Sequence, residues 1–313
     1  MVLGYSGDRG QRPESLLLTG DLASQLCFGS EEFDIYFLSP EQFRHVGAWV
    51  GSVRAKTFRR ISPHGPSEVD LDGRDNHYWH LLVWDREKQA LAGSLRMALS
   101  GWRLRPPDGS SSYLEHCYPG LDAHLRAGGM AYAEIGRTFV SRPYQRSTPV
   151  LMVLLQAMVS IPRANGHSHL LGMVSYNHFA TPEALNQDYL AALLQPPFRD
   201  WLWVPPPRHP LDLPPAAPLQ PRPENLLRLE RDLADRYQIP FRGPVLLRRY
   251  FDFGNSRVVG LSLAKDFNQI TEILVHCDME TLRPRQLLRL LVDPLQPVWE
   301  RELARSGTSR QQA

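Results

Sequence analysis

Apolar residues recur along this chain with two different periods, and the switches between them lay out its elements. Ser39-Pro40-Glu41-Gln42 reads as a helix start, with a capping serine, a proline in the first turn and a glutamine three residues on. Behind it Phe43, Val46, Val50, Val53 and Thr57/Phe58 make a one-sided helical stripe. His80–Asp85 and Ala90–Leu99 are β-rich runs around Arg86-Glu87-Lys88-Gln89, which predicts an antiparallel hairpin. Met130–Ser141 reads as a third strand. Ser147-Thr148-Pro149 then opens an apolar helix carrying Val150, Leu151, Val153, Leu154, Leu155, Met158 and Val159, expected to end near Pro162. Beyond it the pattern predicts a strand over His169–Ser175, helices over Asn225–Tyr237 and Val245–Phe253, and strands over Arg257–Leu263 and Ile270–Cys277. This order predicts an α+β fold, a mixed and mostly antiparallel sheet flanked by helices.

Proline alters the picture in one place. Of 27 prolines, nine fall between Pro205 and Pro223. That stretch can be neither helix nor inner strand, because proline fixes φ and donates no amide hydrogen. It is expected to run over the surface as a connector between residues 31–200 and 225–292, with a partner-binding PxxP segment as the other reading. Residues 1–30 and the end of the chain are expected to be loose.

Composition excludes several classes. With 42% hydrophobic and 22% charged residues, the chain is neither disordered, collagenous nor coiled-coil. No window approaches 18 uninterrupted apolar residues, and the start carries no secretion signal, so a soluble cytoplasmic protein is expected. Cys27, Cys117 and Cys277 suit a reducing compartment. Lys and Arg number 35 against 33 Asp and Glu, a balance that gives no charge argument for nucleic acid. Dinucleotide, nucleotide triphosphate and zinc motifs are missing, and His167, His169 and His178 follow no ligand spacing, so neither a metal nor a permanent cofactor is expected.

What stands out is charge inside strands that otherwise read as buried. Arg96 interrupts Gly-Ser-Leu-Arg-Met-Ala-Leu, and Glu134 and Arg137 interrupt Ala-Tyr-Ala-Glu-Ile-Gly-Arg-Thr-Phe-Val. Arginine and glutamate are almost never buried unpaired. A period of two puts Arg137 on the face opposite Glu134 unless Gly136 marks a bulge. Two readings stay open: an ion pair locking two strands, or a carboxylate presented in a cleft to hold and deprotonate an amine.

Arg54-x3-Phe58, Asp75, Gly93-x2-Arg96 and Glu134-Ile-Gly-Arg137 resemble the signature of GNAT-fold acyltransferases that use long acyl chains. These are the acyl-homoserine-lactone synthases and, more closely, the hemolysin-like N-acyltransferases, which include lyso-ornithine lipid synthases and N-acyl amino acid synthases. The closer likeness rests on Glu134-Ile-Gly-Arg-Thr-Phe-Val followed by Pro143-Tyr144-Gln145-Arg146 and the apolar helix. Leu170–Tyr176, Val245–Tyr250 and Asp266-Phe267-Asn268 add to it. The chain departs from the family where glycines often follow Tyr-Arg, carrying Ser147-Thr148-Pro149 instead.

The resemblance implies one GNAT domain over residues 31–292, with the proline-rich stretch 204–224 as an insertion and 293–313 as a tail. It implies transfer of a long-chain fatty acyl group, from an acyl carrier protein or acyl-CoA thioester, to the amine of an amino acid or similar small amine. Glu134 would be the base and Tyr176 the proton donor to the leaving thiolate. Arg54, Phe58, Asp75, Trp79, Arg96 and Arg137 would bind substrate, with Phe58, Trp79, Leu151 and Leu155 available for the acyl chain. Phe139, Val140, Arg146, Ser147 and Thr148 would grip the phosphopantetheine-linked donor. An acidic carrier protein would dock on Arg54, Lys56, Arg59, Arg60, Arg142, Arg146 and Arg163, and an amphiphilic product would suit peripheral membrane contact. The alternatives are an acyl-homoserine-lactone-type synthase and a catalytically inactive GNAT-fold binding module.

Overall fold

The computed structural model describes residues 22, 25–58, 68–101, 112–145, 148–213, 223–265 and 269–292. In chain order the elements are β1 (Leu26–Gly29), β2 (Phe33–Leu38), α1 (Pro40–Phe58), β3 (Trp79–Asp85) and β4 (Ala90–Leu99). Then come α2 (Tyr113–Cys117), α3 (Leu121–Ala127), β5 (Tyr132–Val140), α4 (Thr148–Ala164) and β6 (His169–Tyr176). The remainder is α5 (Glu183–Leu193), α6 (Leu226–Tyr237), α7 (Val245–Gly254), β7 (Arg257–Ala264), β8 (Ile270–Asp278) and α8 (Pro284–Leu290). The chain resolves into two compact units, 1–110 with 131–168 and 287–313, and 111–130 with 169–286. Both are α+β.

The first unit is built on the antiparallel strands β1 to β5, paired in that order. β3 and β4 form the expected hairpin, and their turn is fixed by the Lys88 amide donating to Asp85 Oδ1 at 2.8 Å. Every residue of β3 is buried, as a strand covered on both faces requires. One covering helix is α1. The Ser39 amide donates to Gln42 Oε1 at 2.8 Å, the start that the sequence signalled. From α1, Phe43, Val46 and Val50 pack into a core with Tyr36, Leu38, Leu82, Trp84 and Phe139.

The other covering helix is α4. It runs two residues past Pro162, whose missing amide costs one bond close to the helix end. Gly93 on β4 lets it approach: a Cβ there would lie 2.9 Å from the Phe139 carbonyl oxygen and 3.1 Å from a Val150 methyl. Ser160 ties α4 to the segment around Leu290, donating to the Leu290 carbonyl and accepting from the Val292 amide.

The second unit pairs its three strands antiparallel in the order β6-β8-β7. Its core joins Leu185, Tyr189 and Leu193 of α5 to Leu229 and Leu233 of α6 and Ile273 of β8. Glu230 on α6 is fully buried, accepting from Arg248 at 3.0 Å and from the Gly243 amide at 3.0 Å.

The proline-rich stretch differs from the expectation of a plain surface connector. It has no regular structure, but Pro205 is buried, the Arg208 amide donates to the Cys117 carbonyl at 2.7 Å, and the Leu263 amide donates to the His209 carbonyl at 2.9 Å. Leu211 and Leu213 pack on the core of the second unit. Proline forbids helix but leaves these carbonyls and apolar side chains free to dock. Residues 214–222 lie outside the described residues. β1 lies within the N-terminal segment expected to be loose, and α5 and the short helices α2, α3 and α8 were not anticipated. Among the described residues, no helix is long and apolar enough to cross a membrane.

Filling the Gly93 contact tests the packing of α4 on the sheet. Gly93→Ala is expected to cost about 1–3 kcal/mol through overpacking, read as a lower urea midpoint with the slope unchanged.

Candidate active site

Three arginines and three aspartates meet in the first unit. Arg54 projects from the last turns of α1 and Arg96 from the middle of β4, and both side chains are only 2% exposed. Arg137 lies on β5, where the register slips. Ser94 pairs with Phe139 and Arg96 with Gly136, so two β5 residues oppose the single residue Leu95. This is the bulge that Gly136 suggested, centred one residue later. Arg137 takes φ +51°, a left-handed conformation that is uncommon for a residue with a side chain. Without the extra residue, Arg137 would point away from the face that carries Glu134. Gly136 itself is needed for room, since a Cβ would lie 3.3 Å from Arg96 Nε.

The aspartates come from the segment leading into β3. Asp72 and Asp75 close a reciprocal cap around the 3₁₀ turn Gly73–His77, each backbone amide donating to the other's carboxylate at 3.0 Å. The same two carboxylates, with that of Asp70, also receive the arginines. Arg54 reaches Asp75 at 2.8 Å and Asp70 at 3.1 Å. Arg96 reaches Asp72 at 2.9 Å and Asp75 at 3.0 Å. Arg137 spans Asp70 at 2.9 Å and Asp72 at 2.7 Å. Each arginine therefore bridges two carboxylates.

The electrostatics follow from burial opposed by pairing. Burial pushes the Asp75 carboxyl up, but the guanidiniums of Arg54 and Arg96 outweigh it and hold the group below the usual carboxylate range. Asp72 is likewise lowered, burial being overcome by Arg96 and Arg137. Arg96 is raised despite its burial, because Asp75 and Asp72 stabilise its charge. His80 on β3 bonds the Asp75 carbonyl through Nε2 at 2.8 Å and stacks on Phe43. Burial outweighs the attraction of Asp75 and pulls its pKa down to about 4.

Glu134 sits beside this lattice on β5, buried, with Ala98 as its cross-strand partner. Tyr78 donates its hydroxyl to Glu134 Oε1 at 2.5 Å, and the Arg96 guanidinium lies 4.5 Å over the Tyr78 ring. A cavity of about 320 Å³ opens where α1 meets the segment after β5, lined by Val53, Lys56, Thr57, Ser141, Arg142 and Pro143.

Residues 53–156, which hold all of these groups, match the acetyltransferase (GNAT) domain. This stretch is a GNAT-type acyltransferase domain. No curated protein matches the chain. Among solved structures, the chain is similar to the CoA-dependent acyl-homoserine lactone synthase BjaI with SAM and isopentyl-CoA, at 12% identity and a TM-score of 0.43, over 82% of this chain and 86% of that one. It is also similar to the AHL synthase LasI, at 11% identity and a TM-score of 0.41, over 84% of this chain and 95% of that one. FeeM, an N-acyl amino acid synthase from uncultured soil microbes, gives 12% identity and a TM-score of 0.37, over 83% of this chain and 98% of that one. The assignment of the domain rests on the match over residues 53–156.

The GNAT domain brings together four of the residues singled out from sequence, Arg54, Asp75, Arg96 and Arg137. Asp75, expected to bind substrate, instead caps the 3₁₀ turn and pairs with Arg54 and Arg96. Arg96 and Arg137, expected to bind substrate, have their guanidiniums paired with Asp70, Asp72 and Asp75. Asp70, Asp72, Tyr78 and His80 were missed. Two buried guanidiniums and a half-buried third demand more carboxylates than Asp75 and Glu134, and the run Asp70-x-Asp72-x-x-Asp75 could have supplied them.

The remaining candidates are dispersed. Phe58 packs edge-on against Phe139, their rings 6.4 Å apart, while Trp79 stacks on Phe37 at 5.0 Å. Leu155 is buried in α4 and Leu151 half-buried. Phe139 and Val140 follow the bulge and pair with Ser94 and Gly93. Thr148 opens α4, exposed, whereas Arg146 and Ser147 lie outside the described residues, as do Arg59, Arg60 and Asp266–Asn268. Of the basic residues expected at the mouth, Lys56 and Arg142 line the cavity, but Arg54 is buried in the lattice. Tyr176 belongs to the second unit, where its hydroxyl donates to Asn186 Oδ1 at 2.5 Å; burial raises its pKa, against a smaller lowering by Thr181. Among the described residues, no cluster of His, Cys, Asp or Glu is arranged to hold a metal ion.

Two predictions follow from the lattice. Asp75→Asn leaves two buried guanidiniums short of a charge partner and is expected to lower stability by about 3–5 kcal/mol, read by urea denaturation. His80, neutral in the folded protein down to about pH 4, charges in the unfolded chain below about pH 6.5. Its stability contribution is therefore whole above pH 6.5 and lost between 6.5 and 4. The lowered Asp72 and Asp75 keep their contribution through that window and lose it only below about pH 4. The urea midpoint of His80→Gln is expected to fall less steeply than wild type between pH 6.5 and 4, and an unchanged slope would contradict the assignment.

Proposed function

We propose that the chain moves a long-chain fatty acyl group from a phosphopantetheine thioester to the amine of an amino acid or similar small amine. The observation that carries this reading is Glu134: a carboxylate buried in a strand of an acyltransferase domain, next to a bulge and held by a phenol. A free amine near neutrality is mostly protonated and cannot attack. Glu134 takes the amine's proton, directly or through a water molecule, as nitrogen adds to the thioester carbon. The carbonyl oxygen becomes an oxyanion, for which the backbone amides of Phe139 and Val140 are the assigned donors. The tetrahedral centre collapses, the C–S bond breaks, and the C–N amide bond remains. The leaving thiolate recovers the proton from Glu134.

The cavity lined by Lys56 and Arg142 suits the phosphate-bearing arm of the donor, and Thr148 begins a 17-residue helix whose amino end favours an anion. The donor assigned is an acidic acyl carrier protein docking on the exposed basic residues around this cavity, with acyl-CoA as the other source of the same arm. The three cysteines, all buried thiols, suit a cytoplasmic setting. An amphiphilic product extends the proposal to lipid metabolism and peripheral contact with a membrane leaflet.

The test is thiol release from long-chain acyl carrier protein or acyl-CoA with pooled amino acids and polyamines, with mass spectrometry of the organic extract. An N-acyl product is expected from the wild type and lost in Glu134→Gln, whereas no thiol release with any donor would overturn the reading. Turnover with the carrier protein is expected to fall steeply from low to high ionic strength. A salt-independent rate would remove these basic residues as its dock.

A further inference from the structure

We propose that Tyr78 is the positioning residue of this site: it transmits the rigidity of the ion lattice to Glu134 and tunes the carboxylate's proton affinity. The part that concerns turnover rests on Glu134 being the base. Three observations converge on Tyr78. It is 1% exposed, so its phenol has no solvent competing for the hydrogen bond. Its hydroxyl lies 2.5 Å from Glu134 Oε1, the short separation of a charge-assisted bond from O–H to carboxylate. Its ring carries the Arg96 guanidinium at 4.5 Å, a cation over a π face in a buried setting.

The chain geometry explains why this residue is so fixed. Tyr78 directly follows the 3₁₀ turn that Asp72 and Asp75 cap. The same Arg96 that lies over its ring also binds both of those aspartates. Turn, guanidinium and ring therefore form one unit, and the hydroxyl is the point at which that unit holds Glu134. A phenol holds its proton at neutral pH, so it donates and the carboxylate accepts. Donation favours the charged form of Glu134 and fixes its rotamer. Without it, the carboxylate would bind a proton more readily and turn more freely. Phenylalanine at this position keeps the ring under Arg96 and deletes only the donor.

The experiment reads Glu134 directly, without turnover. Infrared difference spectroscopy follows the carboxylic-acid carbonyl band that disappears in Glu134→Gln, as a function of pH, in the full chain. In Tyr78→Phe the midpoint of that band is expected to rise by about one pH unit or more, the loss of one hydrogen bond to a charged group. Fluorotyrosine incorporated at all 11 tyrosines keeps every ring and strengthens the donor, and is expected to move the midpoint down. Equal midpoints in wild type and either altered protein would overturn the inference. In the acylation assay, Tyr78→Phe is expected to lower kcat about 10- to 100-fold with the donor KM unchanged, and to move the acidic limb of the pH profile upward. If the band shifts while neither Tyr78→Phe nor Glu134→Gln affects turnover, the inference stands and the base assignment falls.

Discussion

Everything at this site depends on six charges sharing one buried space. Arg54, Arg96 and Arg137 arrive from a helix and two strands, while Asp70, Asp72 and Asp75 arrive on the segment that leads into β3. Taking such groups out of water is expensive, and a well-packed apolar cluster of similar volume would often be at least as stable. What the lattice supplies is fixed geometry. Each guanidinium bridges two carboxylates, so no member can shift without breaking a partner's contact. The left-handed backbone at Arg137 is a local strain accepted in order to deliver that guanidinium to the right face.

That rigidity is what a catalytic carboxylate needs from its surroundings. A base that accepts a proton while a new bond forms must already lie along the line of transfer, because reorienting it during the step adds to the barrier. Glu134 is held on one side by the strand ladder and on the other by Tyr78, whose ring answers to Arg96. The opposite face of the sheet is closed by α4, which Gly93 admits at close range. The bulge, the glycines and the charges thus serve one end: a buried carboxylate held in one orientation.

Most of this frame was legible in the sequence because its elements are periodic and well capped. The Ser39 start, the β3–β4 hairpin and the apolar stripe of α4 each combine a pattern with a boundary signal. The bulge was legible too, since Glu134 and Arg137 cannot otherwise share a face. What stayed hidden was relational. Asp70 and Asp72 lie in a turn-like run where aspartate is ordinary, and only the partners that folding brings mark them as special. Tyr78 lies just ahead of the run read as an apolar strand, and its hydroxyl bond to a residue 56 positions away leaves no local trace. The proline-rich stretch misled for a related reason: proline reports what a segment cannot form, and not whether its carbonyls and leucines find partners elsewhere.

The central claim is that Glu134 makes the acceptor amine reactive by taking its proton. The measurement that tests it most directly is the single-turnover rate of acyl transfer for wild type and Glu134→Gln across pH 6 to 10. A base removes a proton that bulk water also removes once the pH passes the amine's own pKa. The account predicts a deficit of about 10²- to 10⁴-fold near neutrality that narrows steadily as the pH rises. Equal rates near neutrality, or a deficit that stays constant through the amine's titration, would contradict it.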